Sequence, residues 1–232
     1  SRLNPPKNIF KKIISIIEKK IIKVFNVVIT NSNNTYFEVL VHFKIESNIV
    51  YPGIEINRTL IREDKKDYMF CLSRAIQDKN IRFIEDIINN TDSKIIFCGR
   101  GPLEQYLSNL QKKYNNFVYK PYVNDTEKYK LFSEASLFLF LPKNEPFGVT
   151  IIESIYMRTP VIAFNKGGPK EIIINKKNGI LCNTEAEYLR NIKNFSQIKL
   201  SSDSKDYSKY INNNFDLRKM LEKIEFNILN SQ

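Results

Sequence analysis

Tryptophan is absent from this 232-residue sequence, histidine occurs once and cysteine three times. The shortage of metal-binding side chains excludes more than the missing indole does. Cys71, Cys98 and Cys182 are widely spaced, form no C-x-x-C pair and have only His42 as an imidazole companion. Neither a zinc site nor a disulfide framework is therefore expected, and nothing marks a Cys–His nucleophile pair. Free thiols in apolar surroundings suit a reducing, cytoplasmic setting. No apolar run is long enough for a membrane-spanning helix. The N-terminal stretch is polar and then broken by lysines every few residues, so it does not read as a signal peptide.

What is abundant is lysine, giving a formal net charge of +11. The basic residues are scattered, which reads as a solvated surface, and no aromatic–basic motif accompanies them, which argues against nucleic acid. Their densest group is Lys7, Lys11, Lys12, Lys19, Lys20 and Lys23. It overlaps a segment, Asn8–Phe25, whose isoleucines at 9, 13, 16, 17 and 21 have helical spacing. This segment is read either as the last helix of a preceding domain or as an interfacial helix drawn to an anionic membrane.

Val27–Thr30 reads as a strand, Asn31–Asn34 as a turn capping a helix through Phe43, and Ile49–Gly53 as a strand ending in a turn. Arg58–Lys66 has no periodicity and reads as a linker. From Tyr68 strands and helices alternate: strand to Leu72, helix Lys79–Asn89, strand Lys94–Cys98, helix Pro102–Lys113, strand Phe117–Tyr119, helix Asp125–Ser133. A buried strand, Ser136–Leu141, then leads to a helix over Val149–Met157, a strand over Pro160–Phe164, a helix from Pro169 and a strand at Gly179–Cys182. Such alternation implies an α/β fold with a doubly wound parallel sheet. The rest, from Glu185, reads as mostly helical.

The chemistry concentrates where those strands end, which in a parallel sheet is the ligand-binding edge. Glu145 falls in the loop after the Ser136–Leu141 strand, and Glu153 lies about a turn inside the next helix. The amides of Phe147 and Gly148, ahead of Val149, face out of a helix N-terminus that suits anionic or oxygen-rich groups. Arg74 follows the first strand and Lys79 lies five residues on, a bidentate phosphate partner and a mobile point charge. Gly99 and Gly101 permit close backbone approach, as do Gly167 and Gly168, while Glu171 reads as an exposed carboxylate near a helix start. Cations, glycines and carboxylates on one edge suit a ligand with a diphosphate and hydroxyls, such as a nucleotide sugar.

In sequence order these pieces resemble the retaining glycosyltransferases of the GT-B fold, family 4. Glu145 and Glu153 match the family's E-x7-E element in its Glu-Pro-Phe-Gly form. Tyr51-Pro-Gly53 is similar to its interdomain I-P-N-G segment, and Ser73-Arg74 with Lys79 to G-R-L-x4-K-G. Gly99-Arg-Gly-Pro resembles G-x-G-P, and Gly167-Gly168-Pro-Lys-Glu171 resembles G-G-x-x-E. The resemblance implies a hexosyltransferase-like enzyme with a nucleoside-diphosphate sugar as donor, a glycan or lipid-linked acceptor, and no metal or other cofactor. Arg74 and Lys79 then bind and stabilise the departing diphosphate, and Glu145 contacts the donor sugar, these three being the catalytic set. Glu153 takes the ribose; Gly99, the Phe147, Gly148 and Val149 region, and Tyr122 and Val123 of the Pro121–Val123 loop complete the donor site, with the base against that loop.

The resemblance also implies a Rossmann-like N-terminal acceptor domain, of which residues 1–50 are read as a remnant. Residues 51–67 form the interdomain linker, 68–184 the Rossmann-like nucleotide-sugar domain and 185–232 the C-terminal helices. Ser73 and Asn80 stand where the family has glycine. Competing readings are a nucleotide-sugar-binding module without independent activity, completed by a partner chain or by self-association, and a glycoside hydrolase using Glu145 and Glu153 as its acid/base pair.

Overall fold

The computed structural model describes residues 17–18, 20–22, 24–55, 61, 64–198, 200 and 204–230. The helix expected over Asn8–Phe25, most of its basic cluster and most of the Arg58–Lys66 linker lie outside them; residues 17–18 and 20–22 are helical. A small parallel sheet comes first, β1 (Ile29–Thr30) pairing with β2 (Asn48–Ile49) across α1 (Asn33–Phe43). Ser32 caps α1 by accepting from the Thr35 amide at 3.0 Å. The strand expected over Ile49–Gly53 ends at Ile49, its last ladder bond running from the Val50 amide to the Thr30 carbonyl, because β1 gives way there to the turn that starts α1.

The main sheet has six parallel strands: β3 (Tyr68–Leu72), β4 (Lys94–Cys98), β5 (Phe117–Lys120), β6 (Leu137–Leu139), β7 (Val161–Phe164) and β8 (Gly179–Cys182). Among them run α2 (Phe83–Ile88), α3 (Glu104–Lys113), α4 (Asp125–Glu134), α5 (Val149–Tyr156) and α6 (Pro169–Ile172). After the last strand come α7 (Glu185–Lys193), α8 (Ser204–Asn214) and α9 (Leu217–Leu229). Strand order is β5-β4-β3-β6-β7-β8, so the chain starts in the middle, builds outward, and returns beside β3 to build the other way. Between β3 and β6 the direction of winding reverses, which opens a crevice at their carboxyl ends.

Both faces of such a sheet must be covered, and the strands are apolar throughout for that reason. On β3, Tyr68 and Phe70 point to one layer, where Phe70 meets Phe132 of α4 edge-on at 4.9 Å between centroids. Met69 and Cys71 point to the other, with Phe97, Leu107 and Tyr188. Tyr188, fully buried on α7, donates its hydroxyl to the Ile162 carbonyl at 3.2 Å. All three cysteines are buried, and burial pushes the Cys98 thiol up to about 12 and Cys182 to about 11, so neither is a nucleophile at neutral pH. No helix among the described residues is long and apolar enough to cross a membrane.

Two further expectations need correction. The helix predicted from Lys79 begins at Phe83. Gln77–Lys79 form a 3-10 turn that ends at Asn80, whose φ of 55° is left-handed and whose side chain donates to the Leu141 carbonyl at 3.1 Å. Asparagine tolerates that conformation better than other side chains, which explains how it fills a position where glycine is usual. Glu171 is not simply an exposed carboxylate. It accepts the Asn33 and Asn34 amides at 2.8 and 2.9 Å, the Asn33 side chain at 2.9 Å and the Tyr51 hydroxyl at 3.0 Å. It therefore caps α1 from a distant part of the sequence and ties that helix and Tyr51 to the main sheet. Burial and the hydrogen bond to Glu171 push the Tyr51 phenol up to about 12.

Glu171→Ala should cost about 2 kcal/mol and speed exchange of the Asn33 and Asn34 amides in hydrogen-exchange mass spectrometry. Unaltered exchange at those amides would show that α1 is held by something else.

Candidate functional site

The loop leaving β3 carries Ser73, Arg74 and, in the 3-10 turn, Lys79; the loop leaving β6 carries Glu145, Pro146, Phe147 and Gly148. Because β3 and β6 are neighbours, the two loops face each other across one cleft of about 390 Å³. Asn31 and Pro52, from the first part of the chain, close its rim. Across the cleft Lys79 Nζ donates to Glu145 Oε2 at 2.5 Å, and the two side chains are only 18% and 20% exposed. That is a charge-assisted pair shielded from most solvent screening. Arg74 is exposed beside it, and no described residue pairs with its guanidinium.

The Glu145 loop is held by the loop after β7. Gly168 donates its amide to the Glu145 carbonyl at 2.8 Å, and a Cβ on Gly168 would stand 2.2 Å from Phe147 Cα. Any side chain there would displace the turn. Phe147 is buried under the linker, its ring stacked on Tyr51 at 5.7 Å between centroids. Gly148 is the N-cap of α5, and its amide and that of Phe147 donate to no described residue. They border the cleft as hydrogen-bond donors at a helix start.

Arg74, Lys79, Glu145, Phe147, Gly148 and Val149 thus meet in one place. Gly99, Tyr122, Val123 and Glu153 do not line that cleft. Gly99, at φ 137°, follows β4, and a Cβ there would lie 1.9 Å from the Ser73 carbonyl oxygen, so its close approach is to the protein's own loop. Tyr122 follows β5, is 70% exposed and carries Arg100 over its ring at 5.7 Å. Val123 packs against the α4–α5 side of the core. Glu153, in the second turn of α5, is buried and accepts from Lys128 Nζ at 3.0 Å and from the Tyr129 hydroxyl at 3.3 Å. Sequence reading missed Lys128, Tyr129, Asn31 and the clamp at Glu171. The Asn124 cap that starts α4 was the available signal for Lys128, but pairing α4 with α5 needs the fold.

An α/β sheet with a polar, charge-paired cleft at its switch point defines a domain of the Rossmann-like kind. Residues 54–216 match the glycosyl transferases group 1 family, and the chain belongs to that family. Among curated relatives, the alpha-1,3/1,6-mannosyltransferase ALG2 of Dictyostelium discoideum is 25% identical over 231 residues, covering 79% of this chain and 55% of that protein. A probable sucrose-phosphate synthase of Thermosipho melanesiensis is 28% identical over 177 residues, covering 68% of this chain and 41% of its own. The chain spans about half the length of the curated relatives it matches. Among solved structures, sucrose-phosphate synthase from Thermosynechococcus elongatus superposes with a TM-score of 0.75 at 16% identity, over 94% of this chain and 62% of that one. HepE of Anabaena in complex with UDP gives 0.73 at 17%, over 89% and 64%. The fold is therefore that of the GT-B glycosyltransferases.

Gly168→Ala tests how the loops are packed. It should lower the thermal midpoint by several degrees, as expected for overpacking costing about 1–3 kcal/mol. A midpoint equal to wild type would mean that the Glu145 turn is not braced by this contact.

Proposed function

We propose that this chain is the donor-binding half of a glycosyltransferase that moves a sugar from a nucleoside diphosphate to a glycan or lipid-linked acceptor, with retention at the anomeric carbon. The observation that carries this reading is the meeting of Arg74, Lys79, Glu145 and the Phe147–Gly148 amides in one cleft. Two cations and a helix N-terminus suit a diphosphate, and a carboxylate among them suits sugar hydroxyls. The relative HepE has been solved with UDP-glucose, which supports a donor of that chemistry.

Lys79 and Glu145 hold each other in position until the donor arrives. The diphosphate then takes over the Lys79 ammonium, and sugar hydroxyls replace it on the Glu145 carboxylate. As the anomeric C–O bond breaks, its electron pair passes to the phosphate oxygen, where Arg74 and Lys79 stabilise the charge. The acceptor hydroxyl oxygen forms the new bond to the anomeric carbon on the face the diphosphate leaves, which keeps the configuration, and its proton passes to the departing phosphate oxygen. Neither glutamate acts as nucleophile, and these cations do the work for which other transferases use a metal. Glu153 holds the ribose, with the base along Tyr122 and Val123 beyond Gly99. Among the described residues, Asn31 and Pro52 bound the cleft from the first part of the chain, and further protein completes the acceptor face.

Calorimetry with UDP, GDP and ADP tests the donor site. Arg74→Ala and Lys79→Ala should each weaken the best-bound nucleotide about tenfold or more, and chelation by EDTA should leave the affinity unchanged. Unaltered binding by both variants would contradict the assignment.

A further inference from the structure

A buried carboxylate needs a partner, and Glu153 finds its own on a different helix. Its side chain is 11% exposed and that of Lys128 18%, so the pair sits largely out of solvent. Lys128 Nζ lies 3.0 Å from Glu153 Oε1, and the Tyr129 hydroxyl donates to the same oxygen at 3.3 Å. Lys128 is fixed on two further sides, by the Tyr129 ring 4.3 Å from its ammonium and by Asp125 Oδ1 at 3.1 Å. Both donors therefore act on Oε1, and Oε2 has no partner among the described residues.

This asymmetry has a chemical consequence. A carboxylate with one oxygen held by two donors is restrained in its rotation, which limits the directions in which the other presents its lone pairs. Lys128 also neutralises Glu153, which an anionic nucleoside diphosphate would otherwise meet as a like charge. The placement is local as well: Lys128 is on the first turns of α4, immediately after the Tyr122–Val123 loop, and the Asn124 side chain anchors that start by accepting from the Glu127 amide at 2.8 Å.

We infer that Lys128 is a positioning residue, which holds Glu153 Oε1 so that Oε2 is presented to the ribose hydroxyls of the donor nucleotide. The inference rests on the donor-site reading above and goes beyond it by assigning Glu153 a dedicated partner. A merely structural ion pair between α4 and α5 is the competing account.

The test is calorimetry with whichever of UDP, GDP or ADP the wild-type protein binds best, and with its 2′,3′-dideoxy counterpart. Lys128→Met should weaken the ribonucleotide about tenfold more than the dideoxynucleotide, the size of one hydrogen bond to a charged group, because the dideoxynucleotide feels only the uncovered Glu153 charge. Lys128→Arg should recover most of the loss. In a Glu153→Gln background Lys128→Met should add nothing. Lys128→Gln, which keeps a donor at the site, repeats the comparison should Lys128→Met fail to fold. Equal losses for both nucleotides, or no loss for either, would overturn the positioning role. Failure of the wild-type protein to bind any of the three ribonucleotides would instead overturn the donor site, and this assignment with it.

Discussion

Parallel pairing of all six strands from β3 to β8 is the constraint on which the rest of the molecule depends. It places every carboxyl end on one edge, so each strand delivers a loop to the same side. The reversal between β3 and β6 then separates two neighbouring loops and leaves a crevice between them. Arg74 and Lys79 come from one wall, and Glu145 with the Phe147–Gly148 turn comes from the other. Small residues let these loops lie close. Gly99 passes the Ser73 carbonyl and Gly168 passes Phe147 at distances no side chain could share. The glycines in the motifs thus build the cleft rather than only admit a ligand to it.

Within that frame the electrostatics are balanced locally. The sequence carries a net charge of +11, yet both motif glutamates are matched to lysines, Glu145 to Lys79 and Glu153 to Lys128. Each pair joins two separate segments, a loop to a loop in one case and helix α4 to helix α5 in the other. On the proposed reading, paired carboxylates grip hydroxyls without repelling a diphosphate, while the Arg74 guanidinium serves the anion. The Glu171 carboxylate extends the same logic to the frame, binding the amide end of α1 and the Tyr51 hydroxyl, while the Tyr51 ring lies on Phe147. The cleft is braced from the linker side through that aromatic stack.

The features legible in the sequence were those with local causes. The strands from Tyr68 onward were readable as short apolar runs, and Asn31–Asn34 as a turn that caps a helix. Glu145 was placed in a loop and Glu153 inside a helix by the turn residues between them. What stayed hidden depended on distant partners. The start of α2 was misplaced because Asn80 takes a left-handed conformation stabilised by the Leu141 carbonyl, 61 residues away in sequence. Glu171 read as solvated because its donors, Asn33, Asn34 and Tyr51, are more than a hundred residues distant. Lys128 was one basic residue among many until α4 and α5 were brought together.

The central claim is that the crevice between the β3 and β6 loops receives the diphosphate of a nucleotide sugar. The most direct measurement is a crystal structure of the protein with a bound nucleoside diphosphate. The account predicts phosphate oxygens within hydrogen-bond distance of Arg74 and Lys79, the Lys79–Glu145 pair opened, and the ribose against Glu153. A nucleotide bound elsewhere, with Lys79 still on Glu145, would contradict it.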